Sequence, residues 1–445
     1  MTDNPSYSVR PGKGAGATVG VALLGLGTVG AEVLRLLEVR GDEFAARVGG
    51  RLEVRGVAVS DLSRPREGVD RELLTDDALS LVQRDDIDLV IEVIGGIDYP
   101  RQVVLAALNA GKSVVTANKA LIAAHSAELS EAAENSGVDL FFEAAVAAAI
   151  PVVGPLLRSL AGDKVNAVMG IVNGTTNFIL DAMYNRGASY DEMLAEATEL
   201  GYAEADPTAD VDGYDAASKA AILASLAFHT RVSSDDVHTE GIRSITTDDI
   251  AAAKAANSTI KLLAICERLK DAETGEESVS ARVYPALVPV SHPLASVSES
   301  YNAIFVEAES AGGLMFYGNG AGGGPTASAV LGDVVAVSRN IVLGGRGPGE
   351  STYAALPIAD FGSINTRYHV DMEVQDRVGV LAEVANAFSQ HDVSIRTVRQ
   401  EGLHDGARLV VITHMAKEED LKRTVDTLKE LEAVKSIRSV IRMES

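Results

Sequence analysis

The sequence contains little cysteine, comparatively little positive charge and no long apolar run. Its single cysteine, Cys266, excludes a disulfide framework within the chain and is typical of a reducing compartment. The 39 basic residues are outnumbered by 63 acidic ones, so the formal net charge is −24 at pH 7. Such a surface repels phosphate backbones, which argues against a nucleic-acid partner. Because we find neither an apolar run of membrane-spanning length nor a secretion signal, we expect a cytoplasmic protein that contacts no membrane.

In other respects, the composition is that of an ordinary globular protein. The chain has 445 residues, of which 47% are hydrophobic, and this suffices for a large core divided over two to four domains. Residues 1–18 hold two prolines and three glycines. This segment is predicted to be a disordered tail.

A strand, a glycine-rich turn and a helix follow one another after the tail. Residues 19–24 form a short apolar run suited to a buried parallel strand, and the helical segment AEVLRLL begins at Ala31. The turn between them has the spacing GxGxxG, which in dinucleotide-binding proteins places a pyrophosphate at a helix N-terminus. A purely structural glycine turn is the alternative, and the flanking strand and helix weigh against it. The predicted cofactor contacts are Gly25, Leu26, Gly27, Thr28, Val29 and Gly30.

The end of the second strand bears on which dinucleotide binds. A carboxylate at this point would accept the ribose 2′-hydroxyl of NAD, whereas arginines would accept the 2′-phosphate of NADP. The strand at 52–59 is followed by Ser60 and Asp61, with Arg64 and Arg66 close behind. Ser60 and Arg64 are therefore predicted cofactor contacts. NADP is the preferred cofactor, and Asp61 keeps NAD open as the alternative.

Strands and helices continue to alternate up to residue 150, which predicts an α/β fold with a Rossmann-type doubly wound parallel sheet over residues 19–150. The further strands are expected at 87–94, 113–115 and 138–145. Ligands bind beyond the carboxyl ends of such strands, where this chain has Gly95, Lys119 and Glu143. Gly95 and Lys119 are predicted to contact the cofactor or an anionic substrate.

A second α/β domain with a mixed sheet is predicted for residues 151–322. It is expected to begin with a helix at 151–160 and to include a hairpin of strands at 260–265 and 279–290 that turns at Gly275. Its strand at 165–172 ends in NGTTN, whose side chains suit either a helix cap or hydrogen bonds to a polar substrate. Cys266 continues an apolar strand and is expected in the core. After a glycine-rich stretch, a helix at 323–342 is expected to return to the cofactor site and to complete the first domain.

The segment ELGYAEADPTADVDGYDAASK, residues 199–219, gathers carboxylates on a loop that a proline keeps from being one continuous helix. The helix predicted at its end places Asp215 and Lys219 on the same face as the apolar Ile222. The charged pair should then point inward, where a lysine beside a carboxylate can exchange a proton. A surface ion pair is the alternative that this segment alone leaves open.

The last part of the chain is predicted to be a separate small domain. Residues 343–365 carry five glycines and two prolines and are expected to form a linker. Residues 366–445 alternate as βαββαβ, which is a ferredoxin-like pattern. Such a unit could bind a small ligand, pair with another copy through a sheet edge, or do both.

From about residue 19 onward, the chain resembles a monofunctional homoserine dehydrogenase with a C-terminal ACT regulatory domain. The resemblance is carried by the motifs GLGTVG, VTANKA, FFEAAVAAAIP, GIVNGTTNFIL, LGYAEADPTADVDGYDAASKAAI and YHVDMEVQDRVGVLAEVANAF. Of these, GTTNFIL and the acidic loop are highly specific in combination. The resemblance implies reversible, NAD(P)H-dependent reduction of L-aspartate 4-semialdehyde to L-homoserine in the biosynthesis of threonine, methionine and isoleucine.

The resemblance also implies roles for individual residues. Lys219 would donate a proton to the carbonyl oxygen as hydride reaches the aldehyde carbon, with Asp215 beside it and Lys119 near both cofactor and substrate. The implied substrate contacts are Gly201, Glu204, Asp210, Asp215 and Thr176. Two further cofactor contacts are implied at Ala205 and Gly323.

A sodium-type cation is implied by the same resemblance. Its ligands would be the carboxylate of Glu143 and the backbone carbonyl groups of Val146, Ala148 and Ile150. The family usually has glycine within the sequence EAAVAGG, whereas this chain has three alanines from 147 to 149. Carbonyl ligands need a particular backbone shape, and alanine tolerates fewer conformations than glycine.

The ACT-like tail implies feedback inhibition by L-threonine, and we expect a homo-oligomer, either a dimer or a tetramer. Two other functions are alternatives to this one. A semialdehyde dehydrogenase that forms an acyl-thioester would need an activated cysteine, and Cys266 lies in an apolar context. A non-catalytic amino-acid sensor would bind the cofactor tightly without turnover.

Overall fold

The computed structural model describes residues 11–66, 68–271, 273–403 and 406–444. The chain divides into two compact units. The first unit comprises Met1–Lys164, Ala221–Ser234 and Phe316–Ala355. The second unit comprises Val165–Ala220, Asp235–Met315 and Leu356–Ser445.

The strands and helices are numbered in chain order. The strands are β1 Thr18–Leu24, β2 Arg51–Ala58, β3 Leu74–Thr75, β4 Leu89–Glu92, β5 Ser113–Thr116, β6 Leu140–Phe141, β7 Val165–Ile171, β8 His238–Thr239, β9 Ser258–Lys270, β10 Glu277–Pro289, β11 Tyr301–Ala308, β12 Gly312–Asn319, β13 Asn365–Thr366, β14 Tyr368–Val374, β15 Ile395–Leu403, β16 Gly406–Thr413, β17 Ala416–Lys417 and β18 Val434–Met443. The helices are α1 Thr28–Val39, α2 Gly41–Val48, α3 Ala78–Val82, α4 Asp98–Asn109, α5 Lys119–Ser136, α6 Gly174–Arg186, α7 Tyr190–Glu199, α8 Thr208–Val211, α9 Tyr214–Phe228, α10 Thr247–Ala255, α11 Gly323–Leu343, α12 Val380–Gln390 and α13 Glu418–Glu430.

A six-stranded parallel sheet forms the centre of the first unit, in the order β3-β2-β1-β4-β5-β6. Strand β1 is buried along almost its whole length, as its uninterrupted apolar sequence predicts for a strand covered on both faces. In the register of the sheet, Leu24 of β1 lies opposite Ala58 of β2 and Glu92 of β4. The carboxyl ends of these three strands therefore meet at one edge, and the predicted doubly wound sheet is confirmed.

Helix α11 packs in the core of this first unit. It has 21 residues and a mean hydropathy of 1.4, which is enough by length and composition to cross a membrane. The helix was predicted from the sequence, but the prediction that no apolar run has membrane-spanning length was wrong for these residues. A buried core helix meets the same criterion, and Val330, Val334 and Val337 of α11 lie in one apolar cluster with Leu23 of β1. The apolar character of α11 is thus explained by packing in the protein core.

Residues 11–17, which were assigned to the disordered tail, are tied to the first unit. The backbone N–H groups of Lys13 and Gly14 donate hydrogen bonds to the carbonyl groups of Ile341 and Val342. The ammonium group of Lys13 also lies 2.6 Å from the carboxylate of Asp88. The remainder of the predicted tail, residues 1–10, lies outside the described residues.

Two elements near the end of the first sheet differ from the prediction. The strand expected at 138–145 is limited to β6, and a short 3-10 helix follows at Glu143–Ala145. The chain turns there because the Glu143 carboxylate accepts hydrogen bonds from three successive backbone N–H groups at 152–154. The helix expected at 151–160 is reduced to a single π-helical turn, Pro155–Ser159, whose first residue has no N–H to donate.

The second unit contains a mixed sheet in the order β12-β11-β7-β9-β10-β18-β14-β16-β15, with β8 beside β10. The long strands β9 and β10 form the predicted hairpin, and Gly275 adopts a left-handed φ of 75° in its turn. Cys266 of β9 is fully buried, and its sulfur donates a hydrogen bond to the Ala220 carbonyl at 3.4 Å. The mixed sheet and the buried cysteine are both as predicted.

The C-terminal part of the second unit has the predicted ferredoxin-like fold. Strands β14, β15, β16 and β18 pair in antiparallel fashion, and α12 and α13 supply apolar residues to the core on one face. Strand β18 also pairs in parallel with β10, where Arg442 lies opposite Ala286. The sheet of this small fold is therefore continuous with the larger sheet beside it, which the sequence did not predict.

Candidate active site

The turn after β1 is shaped by its glycines. Gly25 has a φ of 98°, and a Cβ at this position would lie 2.7 Å from the Val93 carbonyl oxygen. A Cβ on Gly30 would lie 2.1 Å from the Gly25 carbonyl oxygen, so α1 can approach the turn this closely only with glycine there. Gly27 is the N-cap of α1, with no side-chain cap and open space beside it. The turn presents helix N–H groups to open space, as a dinucleotide phosphate requires.

The other predicted contacts of this turn surround the same helix N-terminus. Leu26 and Val29 are partly buried against the apolar core, and Thr28 is the first residue of α1. A Cβ added to Gly323, at the start of α11, would lie 2.9 Å from Cγ2 of Thr28. The structure therefore brings a second helix N-terminus next to the first, where Gly323 was expected to contact the cofactor.

The buried carboxylate of Glu92 holds the turns that follow β4 and β5. It accepts hydrogen bonds from the backbone N–H two residues further on, at 2.8 Å, and from the Thr116 hydroxyl, at 2.5 Å. Asn118 caps α5 and donates its amide to the turn after β4 at 2.8 Å. Gly95, with a φ of 83°, and Lys119, exposed at the first position of α5, lie in these two turns. Both lie at the edge of the sheet that carries the glycine turn.

The end of β2 is followed by an exposed turn. Ser60 and Arg64 are both exposed, and Arg66 donates hydrogen bonds to the backbone carbonyl groups of Asp61 and Arg64. The Asp61 carboxylate accepts hydrogen bonds from the hydroxyl and the N–H of Ser63, and these bonds lower its pKa. Asp61 is therefore engaged within its own turn.

In the second unit, Lys219 and Asp215 lie on α9 with their side chains turned inward. The two side chains are only 8% and 5% exposed, and Nζ lies 2.8 Å from Oδ2. Nζ donates a second hydrogen bond to the Val172 carbonyl at 2.6 Å. The prediction that this pair continues the apolar stripe of the helix is confirmed, and the alternative of a surface ion pair is excluded.

The NGTTN segment after β7 meets this pair. Asn173 caps α6 by accepting a hydrogen bond from the Thr176 N–H at 2.9 Å. Its amide nitrogen donates to Asp210 at 2.7 Å and to Asp215 at 2.8 Å. Asn173 thus contacts Thr176, Asp210 and Asp215, and Asp215 links it to Lys219. From the sequence, this side chain was interpreted only as a cap or a general hydrogen-bonding group. Its place directly after a strand was the signal that could have singled it out.

Helix α6 is anchored by a buried lysine that the sequence analysis missed. Lys261 of β9 donates hydrogen bonds to the Asn177 side chain at 3.0 Å and to the Val297 carbonyl at 2.5 Å. Asn177 in turn donates to the backbone carbonyl groups of Val297, Glu299 and Tyr301. Burial lowers the pKa of Lys261 to about 8. These contacts fix the helix whose N-cap is Asn173.

Three predicted residues of the acidic loop are exposed, unlike this buried cluster. Gly201 has a φ of 76° in the turn after α7, and Glu204 and Ala205 are exposed in the turn that follows. Asp210 lies further along, in the short helix α8. Asp210 is therefore joined through Asn173 to the buried pair Asp215 and Lys219.

The segment expected to bind a cation is tightly turned. The Glu143 carboxylate accepts three backbone hydrogen bonds at 2.7–2.8 Å, and no hydrogen bond within the described chain ends on the carbonyl groups of Val146, Ala148 or Ile150. Ala147 and Ala148 adopt left-handed φ angles of 54° and 46°, which favour glycine. Among the described residues, no group of three His, Cys, Asp or Glu side chains could hold a metal, so a cation here would need backbone carbonyl groups beside the single carboxylate of Glu143.

The fold and these sites define a class of protein. A doubly wound sheet with a glycine turn binds a nicotinamide dinucleotide, and a buried lysine paired with a carboxylate can transfer the proton that accompanies a hydride. The chain is an NAD(P)-dependent oxidoreductase that carries a C-terminal ferredoxin-like domain.

Comparisons with known proteins identify the family. Models for the NAD-binding domain of homoserine dehydrogenase, for homoserine dehydrogenase and for the ACT domain match residues 25–143, 151–335 and 368–433. Homoserine dehydrogenase of Corynebacterium glutamicum is 69% identical, with all of both chains covered. That of Mycobacterium tuberculosis is 59% identical over 96% of this chain and 98% of its own. The chain belongs to the homoserine dehydrogenase family.

Solved structures agree with this assignment. The crystal structure of a homoserine dehydrogenase from Thiobacillus denitrificans matches with a TM-score of 0.89 and 35% identity, covering 97% of this chain and 99% of its own. A hyperthermophilic archaeal homoserine dehydrogenase in complex with NADPH matches with a TM-score of 0.60 and 27% identity, over 72% of this chain and 98% of its own. The ACT match also implies a small-molecule effector.

Proposed function

We propose that this chain interconverts L-aspartate 4-semialdehyde and L-homoserine, with Lys219 as the acid and base. The observation that carries this proposal is the buried Lys219–Asp215 pair, held by Asn173 and the Val172 carbonyl. A buried charged pair at the end of a polar turn is a costly arrangement, and such pairs occur where their chemistry is used.

The nicotinamide, when bound, supplies the hydride for the aldehyde carbon. The ammonium group of Lys219 donates a proton to the carbonyl oxygen as negative charge develops there, and the neutral amine takes the hydroxyl proton in the reverse direction. Asp215 holds Nζ in place and balances its charge. Asp210 and Glu204 are proposed to bind the substrate ammonium group. Thr176, in the first turn of α6, and Gly201, in the turn after α7, are proposed to contact the substrate.

The activity is tested by following NADPH absorbance with aspartate semialdehyde in one direction and with homoserine in the other. A homoserine dehydrogenase turns over both substrates, whereas an amino-acid sensor binds cofactor without turnover. Absence of turnover by folded protein that binds NADPH would overturn the proposed function.

We propose NADP as the preferred cofactor. The contacts would be the glycine turn, Gly95, Lys119, Ala205 and Gly323, with Ser60 and Arg64 at the 2′-position. Support comes from the exposed Arg64 and from Asp61, whose carboxylate is already bonded to Ser63. Comparing kcat/KM for NADPH and NADH tests this preference, and an equal or higher value with NADH would contradict it.

We propose a sodium-type cation at Glu143 and the carbonyl groups of Val146, Ala148 and Ile150. The left-handed backbone at 147–148 and the unoccupied hydrogen-bonding capacity of these carbonyl groups support it. Sodium should raise the melting temperature of the protein relative to tetramethylammonium at equal ionic strength. Identical melting curves in the two salts would dismiss the site.

We propose that L-threonine is the effector bound through the ACT domain, and that the chain forms a homo-oligomer in the cytoplasm. The continuity of β18 with β10 supports regulation, because it joins the ACT sheet to the sheet of the catalytic region. Strand β15 ends the sheet and offers an edge for a second copy. Inhibition by L-threonine but not D-threonine tests the effector, and light scattering of the purified chain measures the oligomer.

A further inference from the structure

The side-chain amide of Asn173 contacts both carboxylates of the candidate active site. Its Nδ2 atom lies 2.7 Å from Oδ1 of Asp210 and 2.8 Å from Oδ2 of Asp215. An amide nitrogen carries two protons, so each carboxylate receives one of them. Two negative groups are thereby held close together by a neutral donor.

The orientation of this amide is fixed by the helix that follows it. Oδ1 of Asn173 accepts the N–H of Thr176 at 2.9 Å, and this bond caps α6. A reversed amide would set its NH₂ group against that N–H and lose the cap, so the NH₂ group must face the carboxylates. Asparagine therefore does two things here that aspartate or serine cannot combine: it caps the helix and donates twice.

The position of Lys219 depends on the same short segment. Oδ2 of Asp215 accepts one hydrogen bond from Lys219 and another from Asn173, both at 2.8 Å. The second partner of Lys219 is the carbonyl group of Val172, which directly precedes Asn173. A shift of Asn173 would move Asp215 and the Val172 carbonyl group, which both accept hydrogen bonds from the ammonium nitrogen. A displacement of about 1 Å near reacting groups can cost about 10²-fold in rate.

We propose that Asn173 is a positioning residue, which sets the distance between the substrate-binding Asp210 and the acid Lys219 and keeps Asp210 and Asp215 ionised side by side. This inference builds on the proposed function, in which Lys219 transfers the proton. Asn173 contacts the charged side chains of Asp210 on α8 and Asp215 on α9, and Asp215 in turn contacts Lys219. Lys261 of β9 contacts α6 one turn further along, at Asn177.

Two substitutions separate this role from helix capping. Both Asn173→Ser and Asn173→Asp retain a good N-cap group. Neither can donate to both carboxylates, because a serine hydroxyl has a single proton and an ionised aspartate has none. Asn173→Ser should lower kcat/KM for homoserine about 10²-fold. Asn173→Asp places a third carboxylate against two others, which should also raise the pH at which homoserine oxidation begins by about one unit. Ser189→Ala, which removes the cap of α7 in the same unit, is the matched control and should leave the pH profile unchanged.

The measurement is the pH profile of kcat/KM for each variant, beside its melting temperature. If both Asn173 variants fold and keep the wild-type rate and profile, the positioning role is wrong. Should Asn173→Ser fail to fold, Asn173→Asp alone carries the test, because aspartate has nearly the size of asparagine as well as the cap acceptor. Lys219→Ala distinguishes the two proposals. If Lys219→Ala remains active, Lys219 is not the acid and the proposed function is wrong in this respect. If Lys219→Ala is inactive while the Asn173 variants behave as wild type, only the positioning role is wrong.

Discussion

Lys219 and Asp215 face each other across one turn of α9, with 2.8 Å between Nζ and Oδ2 and hardly any exposed side-chain surface. A surface pair with the same spacing contributes about 0.3–0.5 kcal/mol and is screened by salt. The buried pair has lost most of its hydration, so each charge depends on the other and on the hydrogen bonds around them. Removing one partner should therefore affect the chemistry of the other directly.

Asp215→Asn removes the charge beside Lys219 and preserves the size of the side chain. Without its counter-charge, the Lys219 ammonium group is harder to retain, so the amine needed for homoserine oxidation should appear at lower pH. We expect kcat to fall about 10-fold to 100-fold because the lysine loses its orientation. We also expect the acidic limb of the pH profile of homoserine oxidation to move to lower pH. Glu43→Gln removes the carboxylate of an exposed pair with the same spacing, Glu43–Arg47, and should change neither value.

Ala148→Gly should stabilise the protein. The left-handed conformation costs an alanine about 1–2 kcal/mol, and glycine removes this strain. The greater flexibility of glycine in the unfolded chain offsets about 0.5–1 kcal/mol of that stabilisation. Ala148 has a φ of 46°, so the net increase in unfolding free energy should be about 0.5–1 kcal/mol. Ala149→Gly, one residue away and outside the left-handed region, should lower stability instead. Urea unfolding midpoints of the two variants measure this, and shifts of the same sign would contradict the account.

Asp333→Asn should flatten the dependence of stability on pH. Burial raises the pKa of Asp333 to about 7, although a hydrogen bond from the Glu143 N–H opposes the rise. Between about pH 4 and pH 7 the folded protein holds a proton at this group that the unfolded chain releases. Stability is therefore lost as pH rises through this window, by at most about 1.4 kcal/mol per pH unit. Relative to wild type, the variant should gain stability between pH 5 and pH 7.5. A constant difference in unfolding free energy across this range would show that Asp333 ionises normally.

Glu240→Gln should weaken the response to threonine and leave the uninhibited rate unchanged. Arg442 of β18 donates two hydrogen bonds to the Glu240 carboxylate, at 2.7 and 2.9 Å. Burial alone would raise the pKa of Glu240, but hydrogen bonds from His238 and Arg442 lower it to about 2. Two residues further on, the Ile242 N–H donates to the Val211 carbonyl of α8, next to Asp210. The pair thus connects the ACT sheet to the proposed substrate loop.

The control for this prediction is Asp248→Asn. Asp248 pairs with another arginine of β18, Arg438, at 2.9 Å, but this pair is more exposed and lies on α10. Inhibition curves with L-threonine should shift for Glu240→Gln by at least about threefold, a coupling change of about 0.7 kcal/mol, and remain unchanged for Asp248→Asn. An unchanged curve for both variants would exclude this connection.

Much of the fold follows from local patterns in the sequence. The strand, glycine turn and helix at 18–39 were predictable because a fully buried parallel strand and GxGxxG leave few alternatives. The inward face of α9 followed from helical spacing alone. The pairing of β18 with β10 was not predictable, because it joins residues more than 150 positions apart and no local pattern encodes it.

The failures also have local physical causes. The strand expected at 138–145 ends early because the Glu143 carboxylate captures N–H groups at 152–154, a contact invisible in the apolar pattern. The bridging role of Asn173 depends on Asp210 and Asp215, which lie 37 and 42 positions further along the chain. A single sequence shows that these residues are polar, but their meeting depends on the packing of α6 against α8 and the docking of α9.

The most direct test of the central claim is steady-state kinetics of Lys219→Ala, combined with NADPH binding measured by fluorescence. Removing a positioned acid typically costs about 10²-fold to 10⁴-fold. We expect kcat for semialdehyde reduction to fall by that factor, while the dissociation constant for NADPH changes little. A variant that binds NADPH normally and turns over at nearly the wild-type rate would contradict the assignment of Lys219 as the proton donor.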